Sequence, residues 1–142
     1  MNNLLNHFLN FFIYGLIKTI NYTTWLLLRI IPDKIIFLII KKRPWKIIRI
    51  KLNSNFKLKI RKKIKYFLNL KLKNSHRTNP CLTISITGRI LFDLLGIDNN
   101  INLGLNVLAE GIKSPHAWLT SLNGEQITTG LTSSKNIKIL KI

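Results

Sequence analysis

A chain of 142 residues with 23 basic and five acidic side chains is long enough to bury a core as one domain, and its net charge of +18 favours anionic partners. One cysteine excludes an internal disulfide, and no Cys and His cluster has the ligand spacing of a zinc site. Residues 1–77 hold 18 Lys and Arg with one acid, Asp33, whereas residues 78–142 hold five basic and four acidic residues. The sequence therefore predicts two regions with different tasks, 1–77 and 78–142.

Residues 4–31 are apolar apart from a stripe of polar side chains at steps of three and four, which predicts one long helix or two short ones. The stripe contains Asn3, Asn6, His7, Asn10, Tyr14, Lys18, Asn21 and Thr24. These interruptions weigh against a membrane-spanning helix, and the missing basic residue before the apolar stretch weighs against a secretory signal. The expected location is cytoplasmic, with peripheral contact to a membrane left open.

The basic middle of the chain is compatible with two secondary structures. Pro32 is expected to end the first helix, and an apolar run follows at residues 35–40. Apolar and basic residues then alternate around the polar triplet 53–55, which indicates a basic hairpin at residues 47–60. Apolar residues at helical spacing in 60–68 keep a helix open as the alternative.

The only cysteine of the sequence lies at a predicted helix start. Pro80 suits a first helical turn because its missing amide hydrogen would have no partner there, and Gly96 suits the C-terminal end. Cys81 would then lie in the first turn, where amide hydrogens and the helix dipole favour the nucleophilic thiolate. Ordinary packing of a small side chain is the competing interpretation, and it is the commoner one for a lone cysteine.

Alternating apolar residues after residue 100 predict an antiparallel sheet. The predicted strands cover residues 101–109, 117–122 and 125–131, with an Asn-Gly hairpin turn between the last two. His116 begins the second strand, and in papain-like and transglutaminase-like enzymes a cysteine helix packs on such a sheet. The predicted fold class is therefore α+β: a basic, mainly helical N-terminal half followed by a small core in which a helix packs on an antiparallel sheet.

Five short motifs of residues 78–130 carry a resemblance to a known family. They are Cys81-Leu82, Gly96-Ile97, Leu103-Gly104-Leu105-Asn106-Val107, His116-Ala117-Trp118-Leu119 and Asn123-Gly124. In this order and spacing they resemble the transglutaminase-like leader peptidase of lasso peptide biosynthesis, the B2 family. The resemblance implies a cysteine peptidase core at residues 78–142 that removes the leader segment from a ribosomally made precursor. It also implies three partners: the precursor leader peptide, a separate leader-binding protein and an ATP-using cyclase.

Ordinary thiol chemistry gives the residues of this resemblance their roles. Cys81, activated by His116 as the base, would attack the peptide carbonyl after the leader. His116 would then protonate the leaving amine, and water would resolve the thioester. The backbone amide of Cys81 is the expected oxyanion donor, and the step requires no metal or cofactor.

The acidic residue that the family places on the strand after the histidine strand has no counterpart in this chain. A two-residue hairpin would pair His116 with Leu131 and leave Glu125 roughly 20 Å away, at about 3.3 Å per residue. Thr128 or Thr129 is closer in register. We therefore expect Thr128 or Thr129, rather than Glu125, to orient the imidazole.

A different class of function stays open, namely a basic protein without catalytic activity that binds an anionic membrane or nucleic acid. Cys81 and His116 would then be incidental, or would belong to a degenerate family member that only binds. Phosphate neutralisation needs no special motif, so the charge is a weak signal for nucleic acid. Lys-, Asn- and Ile-rich residue usage throughout the chain accounts for part of the charge.

Overall fold

The protein places its helices before its strands along the chain. The computed structural model describes residues 2–48, 50, 52–75, 80–107, 113–128 and 135–141. The elements are α1 (Asn2–Ile30), α2 (Asp33–Lys42), a 3-10 turn η1 (Pro44–Ile47), α3 (Ser54–Lys73), α4 (Pro80–Leu94), β1 (Asn99–Val107), β2 (Lys113–Ser121) and β3 (Lys135–Lys141). The predicted α+β class is confirmed as a set of helices followed by one small antiparallel sheet.

The N-terminal apolar segment forms one continuous helix, α1, which decides between the one-helix and two-helix alternatives. Helix α1 ends at Ile30, two residues before Pro32, as predicted. The proline takes an extended backbone (φ −57°, ψ 140°), and its carbonyl accepts from the amides of Ile35 and Ile36 at 2.9 and 3.2 Å, which starts α2. Among the described helices, none combines the length and apolar character that a bilayer crossing requires.

The predicted hairpin at residues 47–60 is wrong, because the chain enters helix α3 at Ser54. The side chain of Asn53 accepts a hydrogen bond from the amide of Asn55 at 3.2 Å, so the polar triplet caps a helix and does not form a hairpin turn. The apolar residues of α3 at helical spacing, Ile60, Ile64 and Leu68, are buried. Their burial against the rest of the core outweighs the short period-two alternation before them. Residues 49 and 51 of that alternation lie outside the described residues.

Helix α4 begins and ends where the sequence predicts. Pro80 is its first residue, and Gly96 follows its end with a left-handed backbone (φ 62°). The amide of Gly96 bonds the carbonyl of Asp93 at 2.9 Å, and the amide of Ile97 bonds the carbonyl of Phe92 at 2.8 Å. This pair of bonds is a Schellman cap, which satisfies the last carbonyls and turns the chain towards the sheet.

The sheet is antiparallel and has the order β2-β1-β3. The first two strands agree with the predicted ones, although β2 begins at Lys113, four residues earlier than residue 117. The third predicted strand is not formed in its described part, residues 125–128, where Thr120 and Gln126 make an isolated bridge. Residues 129–131 lie outside the described residues. The third strand of the sheet is instead β3, which the sequence reasoning missed and which pairs with β1.

The hairpin register after β2 differs by one residue from the prediction. Thr120 pairs with Gln126, whereas the predicted two-residue turn would pair Thr120 with Ile127. The amide of Ser121 bonds the carbonyl of Glu125 at 2.9 Å, which leaves a three-residue loop between them. Gly124 closes this loop at φ 81°, and a left-handed glycine is what a three-residue hairpin loop requires at that position.

The two regions of different charge share one hydrophobic core. Its buried members include Ile17, Ile40 and Ile64 from the basic region and Ile84, Phe92 and Leu119 from the neutral one. Helices α1 and α3 and strands β1 and β2 all contact α4. The change of charge near residue 77 is therefore not a break in packing. Residues 76–79 of the predicted linker lie outside the described residues.

Candidate functional site

The thiol of Cys81 lies in the first turn of α4, as predicted. It is a free thiol on the residue after Pro80, and its side chain is half-buried. The preceding proline supplies no amide hydrogen, so the amide of Cys81 is the first orphan donor of the helix. The thiol therefore lies at the positive end of the helix dipole.

The imidazole of His116 is held against a neighbouring ring. Its ring stacks on that of Trp118, with centroids 5.7 Å apart and planes 16° apart, and Trp118 is buried. Burial lowers the pKa of His116 below its ordinary value, so the ring is neutral at neutral pH. A neutral imidazole is the form that accepts a proton from a thiol.

Helix α4 and strand β2 pack together as one layer, and their contact shows where Cys81 and His116 lie along it. A methyl group on Gly88 would meet Cδ2 of Leu119 at 2.9 Å, so β2 passes directly against α4 at this point. The turn at Gly96 reverses the chain into β1, and β2 is antiparallel to β1, so α4 and β2 run in the same sense. Cys81 lies roughly 10 Å before Gly88 at 1.5 Å per helical residue. His116 lies roughly 10 Å before Leu119 at about 3.3 Å per strand residue. Both therefore lie towards the same end of the layer.

The alternation of side chains along β2 puts His116 on the face opposite Leu119. Successive strand residues point to opposite faces, so Ala117 and Leu119 face α4 while His116 and Trp118 face away from it. Nε2 of His116 is buried and has no hydrogen-bond partner among the described residues, so it does not bond Sγ of Cys81. The structure brings the two residues to one end of the layer without joining them.

The two predicted candidates for orienting the imidazole have different outcomes. Thr128 is buried, and its hydroxyl accepts a hydrogen bond from the amide of Leu119 at 2.8 Å, three residues along β2 from His116. Thr129 lies outside the described residues. The orienting role of either threonine stays a prediction.

Glu125, which the sequence did not favour as the partner of His116, forms ion pairs with helix α3. Its carboxylate bonds Nζ of Lys65 at 2.7 Å and Nη2 of Arg61 at 2.6 Å, at an exposed position. The hydrogen bond from Lys65 and the two positive charges lower the pKa of Glu125. These ion pairs tie the loop after β2 to the basic helix.

A buried polar cluster at the C-terminal end of α4 was missed by the sequence reasoning. Asp93 is fully buried, and its Oδ2 accepts from Nε of Arg43 at 2.9 Å and from Nε1 of Trp45 at 2.8 Å. Its Oδ1 accepts from Nη2 of Arg43 and, at 2.9 Å, from Nδ2 of Asn99. We call these four residues the Asp93 cluster. These residues are up to 56 positions apart in the sequence, so no local motif indicates the cluster. The one hint in the sequence is an aspartate inside a mainly apolar helix.

Arg89 lies one helical turn before Asp93 and is also buried. Burial and the positive charge of Arg43 lower the pKa of Arg89 to about 10, and the charge of Asp93 partly offsets this. Arg89 is therefore still protonated at neutral pH. The single carboxylate of Asp93 faces two guanidinium groups, and a buried charge is tolerated only with such partners.

No three His, Cys, Asp or Glu side chains come together to hold a metal ion within the part of the chain that the structure describes. No family model, curated protein or solved structure matches the chain.

Proposed function

We propose that the protein is a cysteine peptidase with a transglutaminase-like core, which removes the leader from a ribosomally made precursor peptide of the lasso type. The observation that carries the proposal is the position of Cys81 and His116 towards one end of the packed layer of α4 and β2. Thiol hydrolysis needs a nucleophile and a base within hydrogen-bond reach. This end of the layer supplies both groups, a cysteine at a helix N-terminus and a neutral imidazole.

The reaction divides into an acylation and a hydrolysis. The Cys81 thiol gives its proton to His116, and Sγ bonds to the last carbonyl carbon of the leader while the C–N bond to the core peptide breaks. The proton on His116 passes to the leaving amine, which is the new N-terminus of the core peptide. Water, deprotonated by His116, then attacks the thioester carbonyl carbon. The C–Sγ bond breaks, the leader acid leaves, and His116 returns the proton to the sulfur of Cys81. The amide of Cys81 donates to the oxyanion in both steps.

The proposal requires a contact that the chain does not make by itself, because Nε2 of His116 has no partner among the described residues. The imidazole also faces away from α4, so the contact requires a change at His116 when the precursor binds and not only the shortening of an existing hydrogen bond. Under the proposal, precursor binding turns the side chain of His116 towards the Cys81 end of α4, so that the imidazole reaches the thiol. The leader-binding protein and the cyclase are the partners in this assembly.

The test is leader removal by the full chain, co-expressed with a lasso precursor, a leader-binding protein and a cyclase from the same source. Mass spectrometry would compare the parent with Cys81→Ala, Cys81→Ser and His116→Gln, and with His7→Gln as a control at an exposed histidine of α1. We expect the three site variants to lose cleavage by at least about a hundredfold and the control to retain it. Continued leader removal by Cys81→Ala would overturn the proposal.

An alkylation experiment tests the site without turnover. Iodoacetamide should modify the half-buried Cys81, the only thiol of the chain, and the precursor should slow this reaction if it binds over the thiol. A peptide with the leader sequence scrambled is the matched control. Equal alkylation rates with both peptides would contradict binding at Cys81.

A further inference from the structure

The side of α1 that faces away from the protein is apolar. Leu4 is 79% exposed, Phe8 69% and Phe11 78%, and large apolar residues continue to the end of this helix and along α2. We call the set the apolar outer face: Leu4, Phe8, Phe11, Phe12, Leu26 and Ile30 of α1 with Ile35 and Leu38 of α2. Thr19 and Thr23 are also exposed on α1, and their hydroxyls donate to carbonyls of the helix at 3.0 and 2.9 Å. Large apolar residues exposed in this number on one side of a helix mark an interaction site.

The opposite side of α1, which packs on the protein, carries much of the polar stripe. Asn21 and Thr24 are buried, and Nδ2 of Asn21 donates to the hydroxyl of Thr87 on α4 at 3.4 Å. Asn10 accepts a hydrogen bond from Nζ of Lys63 on α3. These polar groups of α1 therefore face the protein, and its phenylalanines face outward. A helix whose outer side is adapted to water shows the opposite arrangement.

An apolar groove joins the outer sides of the two helices. Its volume is about 80 Å³, and both Leu27 of α1 and Ile39 of α2 line it while staying partly exposed. Trp45 and Ile90 contribute to its floor. The apolar surface therefore continues from one helix to the next without a polar break at this point.

Basic side chains flank the apolar outer face. Lys18 and Arg29 are exposed on α1, and Lys34, Lys41 and Lys42 are exposed on α2. At 100° per residue, they lie beside the apolar residues of their helices, where long basic side chains can reach past an apolar surface. Residues 1–77 carry one acidic residue, Asp33, so little negative charge offsets them.

An apolar surface flanked by basic side chains limits which partner can bind there. A second copy of the chain would bring the same strong positive charge to the contact, and charge repulsion opposes such a pair. Nucleic acid would match the charge but would leave the phenylalanines in water. An anionic bilayer matches both features, because apolar side chains enter the acyl region while basic side chains meet the headgroups.

We propose that the apolar outer face docks the protein on an anionic lipid bilayer, with α1 and α2 lying in the plane of the membrane surface. The 29 residues of α1 extend roughly 43 Å at 1.5 Å per residue, which gives a long line of contact. The rest of the chain stays outside the bilayer. This inference does not depend on peptidase activity, and its test uses no precursor.

Vesicle sedimentation with the full chain tests the docking. We expect binding to vesicles of phosphatidylcholine with about one third phosphatidylglycerol, and at least about tenfold weaker binding to phosphatidylcholine alone. Phe8→Ser and Phe11→Ser should each weaken binding by about tenfold, and Lys41→Gln and Lys42→Gln by about fivefold each. Leu122→Ser is the matched control, because Leu122 is 63% exposed in the loop after β2 and should leave binding unchanged.

A fluorescence experiment locates the contact. Cys81→Ser removes the only thiol, and Phe11→Cys or Leu122→Cys in that background carries an environment-sensitive NBD label. Anionic vesicles should shift the emission of the label at position 11 to the blue and leave the label at position 122 unchanged. This result would support insertion of the outer face.

Three results would overturn the proposal. Equal losses for Leu122→Ser and Phe11→Ser would show that the outer face has no special role. Full binding by both phenylalanine variants would mean that charge alone holds the protein on the vesicle. A concentration-dependent dimer in analytical ultracentrifugation, abolished by Phe11→Ser, would assign the face to a second copy of the chain.

Discussion

His116 and Trp118 stack on the face of β2 that points away from α4, with ring centroids 5.7 Å apart and planes 16° apart. Trp118 is buried and Nε2 of His116 has no hydrogen-bond partner among the described residues. Burial removes water from the ring, and the charged imidazolium loses more hydration than the neutral imidazole does. This desolvation lowers the pKa of His116 below its ordinary value.

Acid should destabilise the protein through His116. The unfolded chain binds a proton near the ordinary histidine value of about 6.5, whereas folded His116 binds one only at lower pH. The free energy of unfolding should therefore fall as the pH drops through 6.5 towards the folded pKa. His116→Phe, which keeps a stacked ring without titration, should reduce this slope in urea unfolding at several pH values. An unchanged slope in His116→Phe would contradict the prediction, and His7→Phe serves as the control at an exposed histidine.

Asp93→Asn should destabilise the fold by roughly 3 kcal/mol, because Arg43 and Arg89 would lose the charge that offsets theirs in a buried site. Asp98→Asn is the matched control. Asp98 bonds Lys46 at 3.2 Å at an exposed position, so its loss should cost about 0.5 kcal/mol or less. Urea unfolding of both variants measures the difference. Equal effects would mean that the Asp93 cluster contributes no more than a surface ion pair.

The same substitution should have opposite effects at two helical glycines. Gly88→Ala would place a methyl group 2.9 Å from the side chains of Leu119 and Leu68, both fully buried, and should cost about 1–2 kcal/mol. Gly15→Ala meets nothing within 4 Å on the exposed side of α1 and should stabilise by up to about 1 kcal/mol. Thermal unfolding of the two variants checks the signs. Stabilisation by Gly88→Ala would disprove the close approach of α4 to β2.

Asn53→Ala should cost about 1 kcal/mol, because the amide of Asn55 would lose its capping partner at the start of α3. Asn55→Ala, two residues away and also exposed, keeps the cap and should change the stability by less than about 0.5 kcal/mol. Urea unfolding gives both values. Similar small effects at both positions would favour the hairpin over the helix at this segment.

Under the proposed peptidase function, Thr128→Ala should slow leader removal more than Glu125→Gln does. Glu125 is held by α3, whereas the hydroxyl of Thr128 supports β2 through the amide of Leu119. Because losing that bond also lowers stability, Thr128→Ser is needed to restore the hydroxyl. We expect Thr128→Ser to recover kcat and the acidic limb of the pH profile. A larger effect of Glu125→Gln would refute the assignment, and Thr129→Ala completes the comparison.

Much of the local structure could be read from single residues. Pro32 and Pro80 fix where helices begin, because the proline ring sets φ and removes an amide hydrogen. Gly96 ends α4 because glycine adopts the left-handed backbone without strain. The placement of Cys81 in a first helical turn followed from these signals alone. The turn after β2 was predicted, but the strand behind it does not form in its described part, and a three-residue loop shifts the pairing by one position.

Other features of the fold depend on contacts between distant parts of the chain. Residues 54–60 fit a strand or a helix locally, and burial of Ile60 with Ile64 against the common core selected the helix. The inward turn of the polar stripe of α1 required Thr87 and Lys63 as partners, which lie more than 50 positions away.

The sequence by itself determined helix ends and the alternation of the first two strands, because these depend on backbone geometry and on neighbours within a turn or a strand. Only the tertiary structure decided which face of β2 carries His116, which carboxylate holds Arg43, and which side of α1 meets the solvent. Each of these depends on which surfaces pack together, and burial free energy is summed over the whole core rather than over a local pattern.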